Sequence, residues 1–154
     1  MNDTVRRFDI LLVEDERADA HLVKTAILEN RILADVQHVL DGREALEYLR
    51  HQSPRFSETR RPDLILLDLN MPRMDGRECL AELKQDPDLC SIPVVVLTTS
   101  EVERDVIASY NLGAAGYITK PIDLMQFMTV IRDLGNYWFA LVSLPDKSKP
   151  AVGP

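Results

Sequence analysis

The sequence predicts a doubly wound α/β fold, a five-stranded parallel sheet carrying five helices. Three observations predict it. Five short apolar runs alternate with five segments whose apolar residues recur about every 3.6 positions. The short runs are continuously apolar rather than alternating, as strands are when both faces of a parallel sheet are covered. The chain has 154 residues and is 45% apolar, enough to fill one core of ordinary size.

The elements follow in order. Asp9-Ile10-Leu11-Leu12-Val13 is the first strand, ended by Glu14-Asp15-Glu16. Ala18, Leu22, Val23, Ala26 and Ile27 then recur at helical spacing, and Asp15 or Glu16 stands where an acid suits a helix N-terminus. A weaker strand is predicted around Asp35 to Leu40. Asp41-Gly42 opens a second helix carrying Ala45, Leu46 and Leu49. From His51 to Pro62 the chain is polar, with Arg55, Arg60 and Arg61, and a long solvated loop is expected. Asp63-Leu64-Ile65-Leu66-Leu67 is the third strand, ended by Asp68. Leu80 and Leu83 mark a third helix that stops before Pro87, and Pro93 to Leu97 is a fourth strand, mostly valine. A fourth helix runs from about Glu101 with Val102, Val106, Ile107 and Tyr110, and Gly113 and Gly116 punctuate its end. Tyr117-Ile118-Thr119 is the fifth strand, before Lys120-Pro121. Leu124, Phe127, Met128, Ile131 and Leu134 set an apolar stripe on the fifth helix. The expected divisions are an arm over 1–8, one folded domain over 9–141 and an extension over 142–154, whose Pro-, Lys- and Ser-rich end frays.

Charge narrows the function. Eighteen basic against 25 acidic side chains give a formal net charge of −7. Nucleic-acid binding is not expected, because phosphates must be neutralised by basic side chains. Cations and basic or mixed protein surfaces remain as partners. Cys79 and Cys90 have neither metal spacing nor a CxxC pattern; one core thiol and one loop thiol in a reducing cytosol are expected. No signal h-region, cleavage site or bilayer-length apolar run is present, so the expectation is a soluble cytoplasmic protein with no membrane partner.

The chemistry lies at the strand ends. The first strand ends on Glu14-Asp15, the third on Asp68, the fourth on Thr98-Thr99-Ser100, and the fifth runs into Lys120. In an open parallel sheet, ligands bind beyond the carboxyl ends of the strands. Three carboxylates gathered there repel one another, and a hard dication relieves the repulsion. Mg²⁺ takes oxygen ligands, typically one or two carboxylates with waters and phosphate oxygens. Asp15 and Asp68 are the expected direct ligands, with Glu14 acting through water. Asp68 is the candidate nucleophile towards a phosphoryl group, since carboxylates form aspartyl-phosphates. Thr98 is placed to donate a hydrogen bond to phosphoryl oxygens, and Lys120 to supply a mobile point charge. Taken singly, each residue has a bland reading: Asp15 as a helix cap, Thr98 as a turn residue, Lys120 as a surface cation.

Together these residues resemble the receiver domain of two-component response regulators. The resemblance rests on Glu14-Asp15, on Asp68 within Leu66-Leu67-Asp68-Leu69-Asn70-Met71-Pro72, on Thr98, and on Lys120-Pro121. Thirty positions separate Asp68 from Thr98 and twenty-two separate Thr98 from Lys120, both typical of that family. It covers about Asp9 to Leu141 and implies a flavodoxin-like architecture. It implies that Asp68 is the phosphoacceptor, that Asp15, with Glu14, binds Mg²⁺, and that the backbone carbonyl of Asn70 completes the metal shell. Lys120 then pairs with Asp68 or its phosphate, and its peptide bond to Pro121 is implied to be cis, as it often is in the family. Thr98 is the switch hydroxyl, the Thr99 N–H faces the phosphate, and Tyr117 is the switch aromatic. The implied donor is a sensor histidine kinase. Arg17-Ala18-Asp19, the Arg-containing loop, Met74-Asp75-Gly76-Arg77-Glu78 and Tyr137-Trp138-Phe139 are further similar to the small regulators paired with cyanobacterial phytochromes, which implies a light-sensing kinase.

Nothing after Leu144 is long enough for an output domain, so output through protein contacts is expected. Homodimerisation through Tyr137, Trp138 and Phe139 is one route, since three adjacent aromatics on a helix cannot all face one core. The alternative is that they wrap back over their own domain. His21, His38 and His51 receive no role. Two other functions stay open: a constitutive adaptor with no phosphorylation-dependent output, and a phosphatase of the haloacid-dehalogenase type. The latter places its nucleophile after the first strand with a second Asp two residues on, whereas Asp68 is late and followed by Asn70.

Overall fold

The computed structural model describes residues 8–29, 34–71, 73–109 and 112–120, together with Met125 and Thr129. Strands and helices alternate: β1 (Phe8–Val13), α1 (Arg17–Glu29), β2 (Ala34–Val39), α2 (Gly42–Arg50), β3 (Leu64–Asp68), α3 (Gly76–Gln85), β4 (Val94–Thr98), α4 (Glu101–Ser109) and β5 (Gly116–Thr119). The five strands form one parallel sheet in the order β2-β1-β3-β4-β5. The expected sheet is therefore present in full, with four of the five expected helices. The last helix, carrying Leu124, Phe127, Met128, Ile131 and Leu134, lies outside the described residues.

Alternation along the strands divides the core in two. Leu11, Val13, Ile65, Leu67, Val94 and Val96 face α2 and α3, where Leu46, Leu80 and Leu83 meet them. Ile10, Leu12, Leu64, Leu66, Val95 and Leu97 face α1, through Ala20, Val23, Ala26 and Ile27. Every residue of β3 and β4 is buried. Each apolar side chain there stabilises the fold by roughly 1.5–3 kcal/mol. Burial on both faces carries the ionisable residue at the end of β3 under cover with its strand.

Two expectations need correction. On α1 the stripe is Ala20, Val23, Ala26 and Ile27, while Ala18 and Leu22 are exposed. The buried stripe advances as 20, 23, 26 and 27, and Leu22, about 100° round from Val23, falls outside it. On α4, Val102 and Val106 share a face one turn apart, and that face is exposed.

The polar segment from His51 to Pro62 is not a free solvated loop. Pro54–Phe56 forms a 3₁₀ turn. Phe56 is buried, its ring 5.2 Å from that of Tyr48, and the Arg55 guanidinium lies 4.6 Å over it. Arg55 pairs with Glu44 at 2.8 Å, and Arg60 reaches Asp9 at 3.0 Å and Asp35 at 3.3 Å. Arg61 donates to the Asp88 carbonyl and to Ser91 Oγ. The two thiols fall as expected: Cys79 is buried and Cys90 exposed. Burial pushes the Cys79 thiol up to about 12. Among the described residues no helix is long and apolar enough to cross a membrane.

Candidate functional site

Parallel register brings the predicted strand ends together. Val13 of β1 pairs with Leu67 of β3, Asp68 with Leu97 of β4, and Thr98 with Thr119 of β5. Glu14-Asp15, Asp68, Thr98 and Lys120 therefore emerge along one edge. The chain leaves β1 for β2 on one side and returns as β3 on the other, so this edge includes the switch point where open α/β sheets bind ligands.

One carboxylate oxygen from each of Glu14, Asp15 and Asp68 lies within 4.8 Å of the others. Glu14 is fully buried, Asp68 nearly so, and Asp15 half-buried. The Lys120 ammonium enters the cluster from the end of β5. It lies 2.6 Å from Glu14 Oε1, 3.0 Å from Asp19 Oδ2 and 3.3 Å from Asp68 Oδ1. It is therefore a buried cation with three carboxylates around it.

One ammonium shared among several acids leaves a deficit. Burial, then the neighbouring Glu14 charge, pushes the Asp68 carboxyl up to about 7, against the opposing pull of Lys120. Burial alone would lower the Lys120 ammonium. The hydrogen bond to Glu14 and the charges of Asp68 and Glu14 outweigh it and hold Lys120 above the ordinary lysine range. The cation thus stays charged, and Asp68, the most distant of its partners, bears the cost of ionising.

Local packing fixes Asp68. A Cβ on Gly76 would collide with the Asp68 carbonyl oxygen and come 2.7 Å from Leu69 Cα, so only glycine lets the start of α3 seat against the end of β3. The Gly76 N–H donates to the Leu69 carbonyl. Asp75 caps α3 in a reciprocal box with Glu78. Between β3 and α3, Arg73 adopts φ 64° and its guanidinium grips Asp41 with two hydrogen bonds, of 2.7 and 3.0 Å. Asp41 is the N-cap of α2. Burial would raise the Asp41 carboxyl, but the Arg73 and backbone hydrogen bonds hold it below the usual range. The loop after Asp68 is thereby strapped to a neighbouring helix.

The remaining candidates fall as follows. Thr98 is fully buried, and its hydroxyl accepts from the Ser100 N–H at 3.2 Å and donates to the Ser100 carbonyl at 3.4 Å. Ser100 Oγ in turn accepts from Glu103 N–H at the start of α4. Asn70 and Thr99 are exposed. Tyr117 is half-buried against the core facing α2 and α3, and burial raises its phenol. Pro121, Tyr137, Trp138 and Phe139 lie outside the described residues.

Sequence reasoning missed three participants. Asp19 reaches Lys120 from the first turn of α1; it was noted only within the Arg17-Ala18-Asp19 motif. His38, given no role, has Nε2 2.6 Å from the Glu14 carbonyl, which makes that nitrogen the donor. The Arg73–Asp41 strap links residues 32 positions apart, and no local pattern announces it.

The donor set is all oxygen and mutually repelling, with the Asp68 carboxyl pushed up to about 7 by burial and by the Glu14 charge. That fits a hard dication such as Mg²⁺.

Comparison with known proteins agrees with this geometry. The family model described as "Response regulator receiver domain" matches residues 10–132. The chain is 46% identical over 136 residues to Response regulator Rcp1 of Synechocystis, covering 88% of this chain and 92% of that protein. The phosphorylated cyanobacterial phytochrome response regulator RcpA superposes with a TM-score of 0.72 at 45% identity, covering 92% of this chain and all of that one. The Mn²⁺-bound form of Rcp1 gives a TM-score of 0.71 at 45% identity over 90% of this chain and 99% of that one.

Proposed function

Because this chain belongs to the response regulator receiver family, we propose that it is a phosphorylation switch that accepts a phosphoryl group from a histidine kinase on Asp68. Receiver domains are aspartyl phosphoacceptors that bind Mg²⁺ in an acidic pocket and lose the phosphoryl group by their own chemistry. The observation that carries the residue assignment is the setting of Asp68. It is a nearly buried carboxylate beside two other acids, with an ammonium fixed 3.3 Å away.

Asp15, Asp68 and Glu14 are the side chains that would hold Mg²⁺, with the Asn70 carbonyl. The bound ion supplies positive charge that offsets the charge of the phosphoryl group. An Asp68 oxygen forms the new O–P bond while the P–N bond of a phosphohistidine breaks. The bond pair stays on the imidazole nitrogen, which then takes a proton. Lys120 pairs with a phosphoryl oxygen. Thr98 turns its hydroxyl from Ser100 to the phosphoryl group, which frees the start of α4 and space for Tyr117 to turn inward. The response is a population shift, so the phosphoryl group must bind the active arrangement more tightly than the resting one.

The likeness to the cyanobacterial phytochrome response regulator RcpA supports a phytochrome-type kinase as donor, and the proposed site of action is the cytoplasm. Incubation with an autophosphorylated phytochrome histidine kinase and Mg²⁺ should move label to this chain, and chelation should stop it. A kinase that keeps its label throughout would remove this partner. Signalling is proposed to pass through a homodimer whose contacts include Tyr137, Trp138 and Phe139. Sedimentation should then give a dimer for wild type and a monomer for Trp138→Ala, and a monomer in both defeats the idea.

A further inference from the structure

We infer that Asp19 is a positioning residue for Lys120: it holds the ammonium while Asp68 is unmodified and releases it when a phosphoryl group arrives, loosening the first turn of α1. The inference rests on the receiver reading of Asp68.

An ammonium has three N–H donors. The Lys120 ammonium donates a hydrogen bond to Asp19 at 3.0 Å and forms ion pairs with Glu14 at 2.6 Å and Asp68 at 3.3 Å. A new phosphoryl oxygen competes with these carboxylates for the ammonium. Glu14 makes the shortest contact, and its side chain is 0% exposed. Held just beyond β1 with no exposed surface, it cannot turn to water if the ammonium leaves. Asp68 is the residue that carries the phosphoryl group, so its partner must stay close. Asp19 remains. Its side chain is 36% exposed, so water can replace the ammonium at small cost.

Asp19 also differs in where it sits. Glu14 and Asp68 stand at strand ends, fixed by the sheet. Asp19 is the third residue of α1, a full helix whose first turn is closed by the Ala20 N–H to Glu16 carbonyl bond at 3.0 Å. Its contact with Lys120 joins positions 101 apart and ties that turn to the end of β5. Releasing Lys120 would therefore report occupancy of the site to α1. In the resting state the Asp19 carboxylate both competes for the ammonium and adds negative charge near the position of an incoming anion.

The sign of this effect separates it from a structural role. Asp19 is an acid in the first turn of α1, where it favours the helix. Were that its whole function, Asp19→Asn would weaken the site. If Asp19 competes for Lys120, Asp19→Asn should instead tighten binding of an anionic phosphoryl mimic by about two- to fivefold, as expected for loss of one part-exposed ion pair.

The test titrates beryllofluoride at saturating Mg²⁺ into wild type, Asp19→Asn, Asp19→Glu and Asp68→Asn, and follows amide hydrogen exchange. Tighter binding by Asp19→Asn, near-wild-type binding by Asp19→Glu and faster exchange at the Ala20 amide of wild type on binding would support the inference. Should Asp19→Asn fail to fold, the Ala20 exchange in wild type still decides, because unchanged protection there contradicts release. If wild type binds through Asp68 but Asp19→Asn binds equally or more weakly, this inference alone falls. A wild type that shows no Asp68-dependent binding overturns the receiver reading and this inference together.

Discussion

At the scale of single residues, the site turns on a shortage of positive charge around Asp68. Its carboxyl is held at about 7, above the roughly 3.9 of an unfolded aspartate. The native state therefore binds the extra proton between those values. Without metal, the stability this group contributes is fully present below about pH 4 and is lost as pH rises through 7. A bound dication removes the penalty where Asp68 is ionised. The rise in Tm produced by saturating Mg²⁺ should thus be larger at pH 8 than at pH 6. Equal rises at the two pH values would mean that Asp68 does not titrate in this window. Asp68, Asp15, Thr98 and Lys120 were legible in the sequence because each stands at the end of a strand or within two residues of it, and the parallel strand order brings them to one edge. Asp19 and His38 were not. Their partners lie 101 and 24 positions away, and only the seating of α1 and β2 against the sheet joins them.

At the scale of elements, the segment after β3 decides whether Asp68 is held in place. Gly76 lies against the Asp68 carbonyl, and Arg73 straps the segment to the cap of α2. Gly76→Ala should cost roughly 1–3 kcal/mol, the usual range for forcing extra volume into a packed site. It should also slow phosphorylation, since relief comes only by moving α3 or the end of β3. Urea unfolding and a phosphorylation time course check both. Wild-type values in both assays would mean that the glycine is incidental. The strands were legible from their apolar runs and end signals. The stripe on α1 was misplaced because periodicity gives a spacing, not which of several adjacent apolar residues faces the sheet. The polar composition from His51 to Pro62 concealed a structured loop, because one buried ring, Phe56, and three arginines with distant partners organise it.

At the scale of the whole molecule, the sheet gathers groups from β1, β3, β4 and β5 to one edge and leaves helices to carry the response. In the proposed switch Asp68 receives the phosphoryl group, and Lys120 and Thr98 are the contacts through which α1 and α4 would respond. Exposed Val102 and Val106 lie on α4, whose first turn is reached through Thr98 and Ser100. The central claim is that Asp68 is the phosphoacceptor. Its most direct test is incubation of wild type and Asp68→Asn with acetyl phosphate and Mg²⁺, followed by mass spectrometry of the intact chain and its peptides. The account predicts one acyl phosphate, cleaved by hydroxylamine, on the wild-type peptide containing Asp68, absent when Mg²⁺ is chelated beforehand and absent from Asp68→Asn. Equal phosphorylation of both proteins would contradict it.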